Sequence, residues 1–358
     1  MEKVIIGMSG GVDSSVAAYL LKEAGYEVEA LFMRNWDSDI NNDFKGRGEG
    51  PICLQEEDYN DAQAVCKQLD IPLHRVDFVK EYWDNVFTYF LDELKKGRTP
   101  NPDIMCNKYI KFDLFKEKAM ELGASKVATG HYARIIDNKL YKGLDANKDQ
   151  SYFLATLSTE QLKNVLMPLG ELTKKQVREI AAKLNLKTAK KKDSTGICFI
   201  GERNFNLFLS NYLPHQNGQV RLIDTDELIG QHVGLMYYTI GQRKGIHTKL
   251  NHPLFVLDKD LNSNELIVTS DEDKLFSNQC IISELVLRSK NLNNLTAKFR
   301  YRQEDIPVTL ELLDNNRAIV TYNKAKAVAP GQFAVFYNAS AECIGAGIID
   351  EVTMLNRQ

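Results

Sequence analysis

A loop rich in glycine and serine, MSGGVDSS at residues 8–15, lies between two apolar stretches. Residues 4–6 are typical of a strand and residues 16–21 of a helix. Glycines at a strand-to-helix turn let backbone N–H groups converge on an anion, and the helix N-terminus adds the positive end of its dipole. No lysine stands at the Walker position, so the pattern excludes the GxxxxGK[ST] loop. A tight turn with a capping serine is the alternative, but the full string favours a phosphate site.

Two cysteines stand in polar segments whose composition suits sulfur chemistry. Cys106 ends the proline-stiffened stretch TPNPDIMC at residues 99–106, and Asp103 precedes it by three positions, so one helical turn could present both groups. A place near a helix N-terminus predicts a lowered pKa for Cys106. Cys198 follows KKKDSTG at residues 190–196, and cations near a thiol favour the nucleophilic thiolate. A buried structural cysteine and a solvated lysine face are the alternatives.

The overall composition is that of a globular protein of two or three domains, with 358 residues, 44% hydrophobic and 26% charged. The formal net charge of −3 means that a nucleic-acid partner would have to bind a local basic patch. The sequence shows no apolar run long enough for a bilayer and no signal-peptide pattern. Six cysteines without a CxxC pair argue against a zinc knuckle and predict a reducing, cytoplasmic compartment.

Strand-like and helix-like stretches alternate through the first part of the chain. This order predicts an α/β domain in which a parallel sheet carries helices on both faces. TKKQ at residues 173–176 predicts a capping box before a further helix, and residues 37–55 predict a loop. The predicted strands span residues 4–7, 27–32, 73–77 and 126–129, and the predicted helices span residues 14–24, 59–69, 82–96 and 109–122.

From residue 218 onward, short apolar runs are separated by turns, which predicts a small central β-rich domain and a C-terminal β-barrel. The predicted domains are residues 1–210, with a helical section near 150–195, then 211–278 and 279–358. The predicted strands of this part span residues 219–223, 255–258, 265–269, 296–301, 308–313, 317–322, 332–337 and 343–350.

The opening loop resembles the SGGxDS loop of the PP-loop ATP pyrophosphatases, a nucleotide alpha hydrolase-like fold. The resemblance implies ATP with Mg²⁺, cleavage between the α and β phosphates, and adenylation of a substrate oxygen, with no permanently bound metal or organic cofactor. Asp13 would assist Mg²⁺ or pyrophosphate, and Met33 would offer backbone contacts to adenine, although a core methionine is the alternative. The nucleotide-binding residues implied are Gly7, Met8, Ser9, Gly10, Gly11, Val12, Asp13, Ser14, Met33 and Gly130.

Segments along the whole chain resemble the tRNA-specific 2-thiouridylases. The resemblance implies a tRNA-uridine 2-sulfurtransferase that thiolates the wobble uridine of tRNAs for Lys, Glu and Gln. The loop at residues 37–51 aligns least well. The matching segments are NPDIMC (101–106), ATGHYA (128–133), KDQSYFL (148–154), GICFIGERNF (196–205), YTIGQRKG (238–245), KFRYR (298–302) and APGQFA (329–334).

The same resemblance implies the chemistry. Adenylation of the uracil 2-oxygen would make AMP the leaving group, and a persulfide on Cys198 would carry the incoming sulfur. Cys106 would be the nucleophile that leaves a Cys106–Cys198 disulfide, or it would release sulfide for the attack; both routes stay open. Asp103 would act as acid or base, or orient the uracil. A cysteine desulfurase or a sulfur-relay protein would be the sulfur donor.

The tRNA would present its anticodon stem-loop and extrude the uridine from its stack. Without the resemblance, residues 148–150 could equally be a polar turn and His131 a structural histidine. The basic residues at 298–302 could be an exposed sheet face. Lys298, Arg300 and Arg302 are two positions apart and would share one face of a strand. The implied substrate contacts are Asn101, Pro102, Asp103, His131, Lys148, Asp149, Gln150, Arg300, Tyr301 and Gln332.

Two other functional classes stay open at this point. A ligase of the same superfamily would adenylate a small carboxylate or carbonyl, but it needs no cysteine pair. A non-catalytic RNA-binding protein would carry the loop as a relic, but the intact Gly10, Gly11, Asp13 and Ser14 argue against decay. The paired cysteines therefore favour the thiolation enzyme.

Overall fold

The computed structural model describes residues 1–43, 45, 54–193, 196–198, 200, 204–250 and 252–355. The chain divides into two compact units. Unit 1 contains Met1–Thr88, Pro102–Phe208 and Ser340–Ile344, and unit 2 contains Tyr89–Asn101, Leu209–Ala339 and Gly345–Gln358. The boundaries of the three predicted domains stay a prediction. Within the described ranges, none of the helices combines the length and the apolar character that crossing a membrane requires.

Unit 1 is built around a parallel sheet, as predicted, and the sheet has five strands in the order β3-β2-β1-β4-β7. The central strand carries Val4, Ile5 and Ile6, which are completely buried because helices cover both faces. A two-stranded hairpin of β5 and β6 follows β4. The strands are β1 (Lys3–Gly7), β2 (Glu27–Arg34), β3 (Leu73–Asp77), β4 (Lys126–Ala128), β5 (Ala133–Ile136), β6 (Lys139–Lys142) and β7 (Val165–Leu166).

Three helices of unit 1, α1, α2 and α8, bury apolar residues in one core cluster with the sheet. Val16, Ala17 and Leu21 of α1 join the same core cluster as Val177 and Ala181 of α8. The predicted capping box of α8 is confirmed, with Thr173 as the N-cap. The helices are α1 (Val12–Glu23), α2 (Leu54–Leu69), α3 (Val79–Tyr82), α4 (Thr88–Lys95), α5 (Pro102–Met105), α6 (Phe115–Glu121), α7 (Thr159–Leu162), α8 (Lys174–Lys183) and α9 (Phe205–Leu209). All of α4 except Thr88, and the last residue of α9, belong to unit 2.

Two of the helical runs contain π-helical segments. Trp83–Phe87 joins α3 to α4, and Cys106–Leu114 joins α5 to α6 with a break from helical backbone angles at Phe112. Apolar periodicity cannot show such segments, because they depend on which carbonyl each N–H selects. The runs predicted at residues 82–96 and 109–122 therefore begin earlier, at Val79 and Pro102.

Unit 2 contains the two β structures that were predicted. A four-stranded sheet has the order β10-β11-β8-β9, and six strands form a closed barrel in the order β12-β15-β14-β13-β16-β17. The strands are β8 (Gly218–Leu222), β9 (Glu227–His232), β10 (Phe255–Asp260), β11 (Glu265–Thr269), β12 (Phe276–Leu287), β13 (Leu295–Lys298), β14 (Ile306–Leu313), β15 (Arg317–Lys326), β16 (Phe333–Tyr337) and β17 (Cys343–Met354).

The expectation that Lys298, Arg300 and Arg302 share one strand face is wrong. Strand β13 ends at Lys298, and the backbone N–H of Phe299 donates to the side-chain oxygen of Gln303 at 2.8 Å instead of continuing the ladder. Arg302 then adopts a left-handed φ of 64°. The chain turns here, so the alternation of side chains that a strand imposes is lost.

Candidate active site

The candidate site lies at the carboxyl edge of the parallel sheet. Strand β1 has β2 on one side and β4 on the other, so the loops after β1 and β4 diverge at this edge. Open α/β sheets bind ligands at such a switch point. The loop after β1 is the glycine-rich segment 8–11, and Thr129, Gly130 and His131 follow β4.

The loop after β1 is shaped for an anion. Gly10 has a φ of 71°, and a Cβ there would lie 2.1 Å from the Asp58 carbonyl oxygen, so only glycine fits. Gly11 is the N-cap of α1 and gives no side-chain cap, which leaves the first N–H groups of the helix for a ligand. The hydroxyls of Ser9 and Ser14 lie 3.1 Å apart beside them. These groups fit phosphate oxygens.

Buried side chains limit what other loop residues can offer. Met8 and Val12 are 1% and 3% exposed, so only their backbone groups could face a ligand. Met33 is also buried, with its Cε 3.7 Å from the Cβ position at Gly7. The structure places Met33 in the core beside the end of β1, and its backbone contact to adenine stays a prediction.

Lys191 contacts this loop rather than the thiols. Its ammonium donates to the Gly10 carbonyl at 3.0 Å, to Asp58 at 2.7 Å and to Asp61 at 2.6 Å. Burial raises the pKa of Asp58, although the hydrogen bond from Lys191 opposes the rise. The other two members of the lysine run, at positions 190 and 192, are exposed. The cation expected beside Cys198 therefore comes from elsewhere.

Gly130, after β4, lies against the start of α1. A Cβ at this position would lie 2.9 Å from the Ser14 nitrogen and 3.0 Å from the Asp13 carbonyl carbon. Gly130 therefore packs against the backbone of the helix start, and its contact with the nucleotide stays a prediction. A side chain here would displace the N–H groups that the anion needs.

Asp13 is held by two residues for which the sequence predicted no role at the site. Tyr132 Oη donates to Asp13 Oδ1 at 2.7 Å, and Lys174 Nζ donates to both carboxylate oxygens at 2.7 and 2.8 Å. Lys174 also pairs with Asp193 at 2.8 Å, and Lys148 pairs with the same carboxylate. Burial opposes ionisation of Asp193, but hydrogen bonds from the two lysines hold its pKa well below its usual range. The network places an ammonium at the edge of the phosphate loop.

Cys106 and Cys198 are brought together from positions 92 residues apart. Their Sγ atoms lie 3.9 Å apart and both thiols are free. Cys106 opens the π-helical segment that follows α5, and Tyr82 Oη donates to the Cys198 carbonyl at 2.8 Å. The two sulfurs are close enough for sulfur to pass between them after a short movement.

The two thiols differ in acidity. Burial, and then the contact with Cys198, raises the pKa of Cys106. The hydrogen bond from Cys106 lowers the pKa of Cys198 although burial opposes it. The predicted low pKa of Cys106 is therefore wrong. The helix dipole acts within the first turn, and Cys106 lies beyond that turn because the helical run begins at Pro102. The directions of the two pKa shifts favour the thiolate at Cys198 over the thiolate at Cys106.

Asp103 positions the Cys198 turn. The backbone N–H of Cys198 donates to Asp103 Oδ1 at 3.0 Å. Burial raises the pKa of Asp103, and the Cys198 N–H and the charge of Lys111 oppose the rise. The structure thus brings together the three residues predicted to be catalytic, and it adds Lys111, which no motif identified.

His131 is buried next to this group. Its Nδ1 lies 2.8 Å from Thr129 Oγ1, and its ring centroid lies 5.9 Å from that of Phe112. Burial, and then the positive charge of Lys111, lowers the pKa of His131 well below its usual range. The ring is therefore neutral, and its contact with RNA stays a prediction.

The side chains at positions 149 and 150 stabilise the chain around the hairpin. The buried Asp149 carboxylate accepts hydrogen bonds from the backbone of Gly143 and Ser151 at 3.0 and 3.1 Å. Gln150 Oε1 accepts from the Tyr132 N–H at 3.0 Å. These local bonds account for both residues, and their roles in RNA binding stay predictions.

The remaining predicted RNA contacts lie around the start of α5 and in unit 2. Pro102 is the first residue of α5, where a missing N–H costs nothing, and Asn101 precedes it partly exposed. Within unit 2, Arg300 donates to the Ile240 carbonyl at 2.6 Å, and Gln332 donates to the Thr99 carbonyl at 2.8 Å. Tyr301 is half-buried, with the guanidinium of Arg302 5.2 Å above its ring.

Fold and site together define an α/β enzyme of the PP-loop class with a thiol pair in its catalytic unit. Three family models match the chain: "tRNA methyl transferase HUP domain" at residues 2–202, "tRNA methyl transferase PRC-barrel domain" at 206–270 and "Aminomethyltransferase beta-barrel domain" at 278–349. These descriptions name methyl transfer, whereas the curated relatives are named for thiolation.

Three relatives carry the name tRNA-specific 2-thiouridylase MnmA. The protein of Mycoplasmopsis synoviae is 55% identical over 99% of this chain and 97% of its own length. That of Metamycoplasma arthritidis is 53% identical over 100% and 98%, and MnmA 1 of Geobacillus kaustophilus is 53% identical over 99% and 97%. The chain belongs to the tRNA-specific 2-thiouridylase family.

The predicted family and the predicted enzyme class, a tRNA sulfurtransferase, are confirmed at this level, as are the assignments to tRNA modification and nucleotide binding. Among solved structures, a 4-thiouridine synthetase–RNA complex with bound ATP matches 56% of this chain and 46% of that chain at 18% identity. Its TM-score of 0.33 is too low to support a conclusion.

Proposed function

We propose that this chain thiolates carbon 2 of the wobble uridine in tRNAs for Lys, Glu and Gln, with ATP as the activating substrate. The observation that carries the proposal is the Cys106–Cys198 pair, with its sulfurs 3.9 Å apart, in the unit that also holds the phosphate loop. The names of the relatives support 2-thiolation of uridine in tRNA, which is the coarser part of the proposal.

The phosphate loop would bind the triphosphate of ATP. The first N–H groups of α1 and the hydroxyls of Ser9 and Ser14 would contact its oxygens. The ammonium of Lys174 would face the departing pyrophosphate. Asp13 offers the hard carboxylate oxygens that Mg²⁺ prefers, and the ion would neutralise phosphate charge when bound.

ATP is needed because the uracil 2-oxygen is a poor leaving group. Attack of this oxygen on the α-phosphate forms the adenylated base and releases pyrophosphate. AMP then becomes the leaving group when sulfur attacks carbon 2. Asp103, whose pKa burial raises, would exchange a proton with the base or orient it.

Sulfur would travel through the two cysteines. A persulfide on Cys198 attacks carbon 2 with its terminal sulfur, and the Cys106 thiolate attacks the Cys198 sulfur. The bond between Cys198 and the transferred sulfur breaks, its electron pair stays with that sulfur, and a Cys106–Cys198 disulfide forms. Loss of AMP gives 2-thiouridine, and an external dithiol reduces the disulfide. Release of free sulfide by Cys106 is the alternative route.

The partners would be a tRNA anticodon stem-loop and a sulfur donor, either a cysteine desulfurase or a relay protein, in the cytoplasm. RNA contacts at Asn101, Pro102, His131, Lys148, Asp149, Gln150, Arg300, Tyr301 and Gln332 belong to the proposal. So do the three domains, with the helical section near residues 150–195 on the RNA.

A thiolation assay tests this function. The chain is incubated with Mg²⁺, ATP, a donor persulfide and an unmodified tRNA-Lys transcript, and thiolated RNA is detected by its retardation in a mercury-containing gel. Retardation should require ATP and should vanish when the wobble uridine is replaced by cytidine. An ATP-independent shift, or a shift that survives the cytidine replacement, would contradict the proposal.

A further inference from the structure

A lysine to which no motif points lies inside the thiol site. The Lys111 ammonium is hydrogen-bonded to the Cys198 sulfur. Burial disfavours its charge, yet the neighbouring thiols and carboxyl raise the pKa of Lys111 above its usual value. Four further titratable groups face Lys111 or Cys198: Tyr82, Asp103, Cys106 and His131.

The π-helical segment explains how Lys111 reaches this position. In an α-helix, residues five apart point about 140° away from each other, so Cys106 and Lys111 would face different sides. A π-helix closes its hydrogen bonds from residue i to residue i+5, which puts these two residues on one face. Cys106–Leu114 is such a segment. A rare backbone form is thus used to bring a cation beside two thiols.

The charge balance of the site favours the sulfur as the partner of Lys111. Asp103 is the carboxyl of this group, and it accepts a hydrogen bond from the Cys198 backbone. Burial raises the pKa of Asp103, although the charge of Lys111 opposes the rise. His131 is neutral and carries no negative charge. The Cys198 sulfur is the group of this site that is hydrogen-bonded to the Lys111 ammonium.

We propose that Lys111 is a catalytic residue of sulfur transfer, whose ammonium holds Cys198 as the thiolate that accepts sulfur and then stabilises the resulting persulfide anion. This role rests on the proposed function. The thiolate attacks the outer sulfur of a donor persulfide, the sulfur–sulfur bond of the donor breaks, and the donor leaves as a thiolate. The new Cys198 persulfide then loses its proton to solvent, and Lys111 stays protonated throughout.

The test measures alkylation of Cys198 by iodoacetamide against pH, with the modified peptide quantified by mass spectrometry. Only the thiolate reacts, so the profile reports the fraction ionised. Lys111→Met should slow alkylation at neutral pH by about tenfold or more, since an opposite charge at contact distance shifts a titration by about one to three units. Lys111→Arg, which keeps the charge, should restore most of the rate.

Lys108→Met is the matched control, because Lys108 lies on the same π-helical segment and its ammonium is placed over the Tyr109 ring instead. Its profile should equal that of the wild type. An unchanged alkylation profile in a folded Lys111→Met chain would overturn the inference. A loss of rate in Lys111→Arg as large as that expected for Lys111→Met would overturn it too. The arginine variant alone still provides this second test if the methionine variant fails to fold. The assay uses neither ATP nor tRNA, so its failure is distinct from a failure of thiolation.

Discussion

The phosphate loop takes its ligand-facing groups from one stretch, residues 8–15, whereas the thiol site joins residues as far apart as Tyr82 and Cys198, 116 positions away. The loop offers backbone N–H groups and hydroxyls, which stay neutral at any ordinary pH. The thiol site uses buried ionisable groups whose pKa values depend on one another. Binding of a phosphate therefore needs a backbone shape, while sulfur transfer needs a tuned set of charges.

The largest effect is expected from Cys198→Ser, which should abolish the function of the thiol site and leave that of the phosphate loop intact. Loss of a covalent nucleophile should lower tRNA thiolation by at least about a thousandfold. Release of pyrophosphate in the presence of ATP and tRNA should persist as a single turnover, because the loop is untouched. Cys66→Ser is the control, since Cys66 is buried in the sheet core. Continued thiolation in Cys198→Ser would contradict the assignment of the sulfur carrier.

Gly10→Ala should damage the loop and spare the thiols. A Cβ would lie 2.1 Å from a backbone oxygen, and the φ of 71° adds strain of about 1–2 kcal/mol. ATP-dependent activity should fall by about a hundredfold or more, whereas the alkylation profile of Cys198 should stay unchanged.

Gly123→Ala is the matched control for this variant. Gly123 has a φ of 86°, and nothing lies within 4 Å of its Cβ position, so it carries the strain without the clash. Thermal unfolding of both variants separates the two contributions. Equal losses of activity in the two glycine variants would show that the clash at the phosphate loop does not cause the loss of ATP-dependent activity in Gly10→Ala.

A smaller effect is expected from Lys174→Met, which removes the ammonium beside Asp13. The turnover rate should fall about tenfold or more, because charge on the departing pyrophosphate loses a partner. Lys175→Met, on the exposed side of the same helix, should have no effect. Pyrophosphate release measured for both variants decides the point, and similar rates would remove Lys174 from the proposed site.

The smallest effect concerns stability and pH. His131 is neutral in the fold because burial lowers its pKa, while the unfolded side chain titrates near 6.5. Below that pH, His131 binds a proton in the unfolded state but not in the folded state. The free energy of unfolding therefore decreases as the pH falls, by up to about 1.4 kcal/mol per pH unit. His131→Gln should flatten this part of the stability profile.

Urea unfolding at about pH 7 and about pH 5 measures the difference. His215→Gln is the control, since His215 is exposed and should keep the wild-type dependence. If His131→Gln and the wild type lose the same free energy over this range, the buried ring is not neutral.

Sequence patterns predict the local parts of this molecule well. The loop at residues 8–15, the capping box at Thr173, the parallel sheet and the C-terminal barrel follow from short-range spacing and apolar alternation. The pairing of Cys106 with Cys198 was implied by family resemblance, and spacing alone left it open.

What the sequence could not show depends on tertiary structure. Lys111 enters the thiol site only because the helix is π-helical, and Lys174 reaches Asp13 from 161 positions away. The error at Arg300 and Arg302 has the same origin, because a hydrogen bond from Phe299 to the Gln303 side chain ends the strand. The pKa values of the thiols could not be predicted from the sequence either, because burial raises the pKa of Cys106, which was expected to be lowered.

The central claim is that the phosphate loop activates the same uracil oxygen that the thiols then displace. A tRNA-Lys transcript labelled with a heavy oxygen isotope at the 2-position of its wobble uridine tests it directly, with the AMP product analysed by mass spectrometry. Adenylation of that oxygen predicts that each AMP released during thiolation carries the label in its phosphate. Thiolated tRNA accompanied by unlabelled AMP would contradict the account, because the oxygen would then have left by another path.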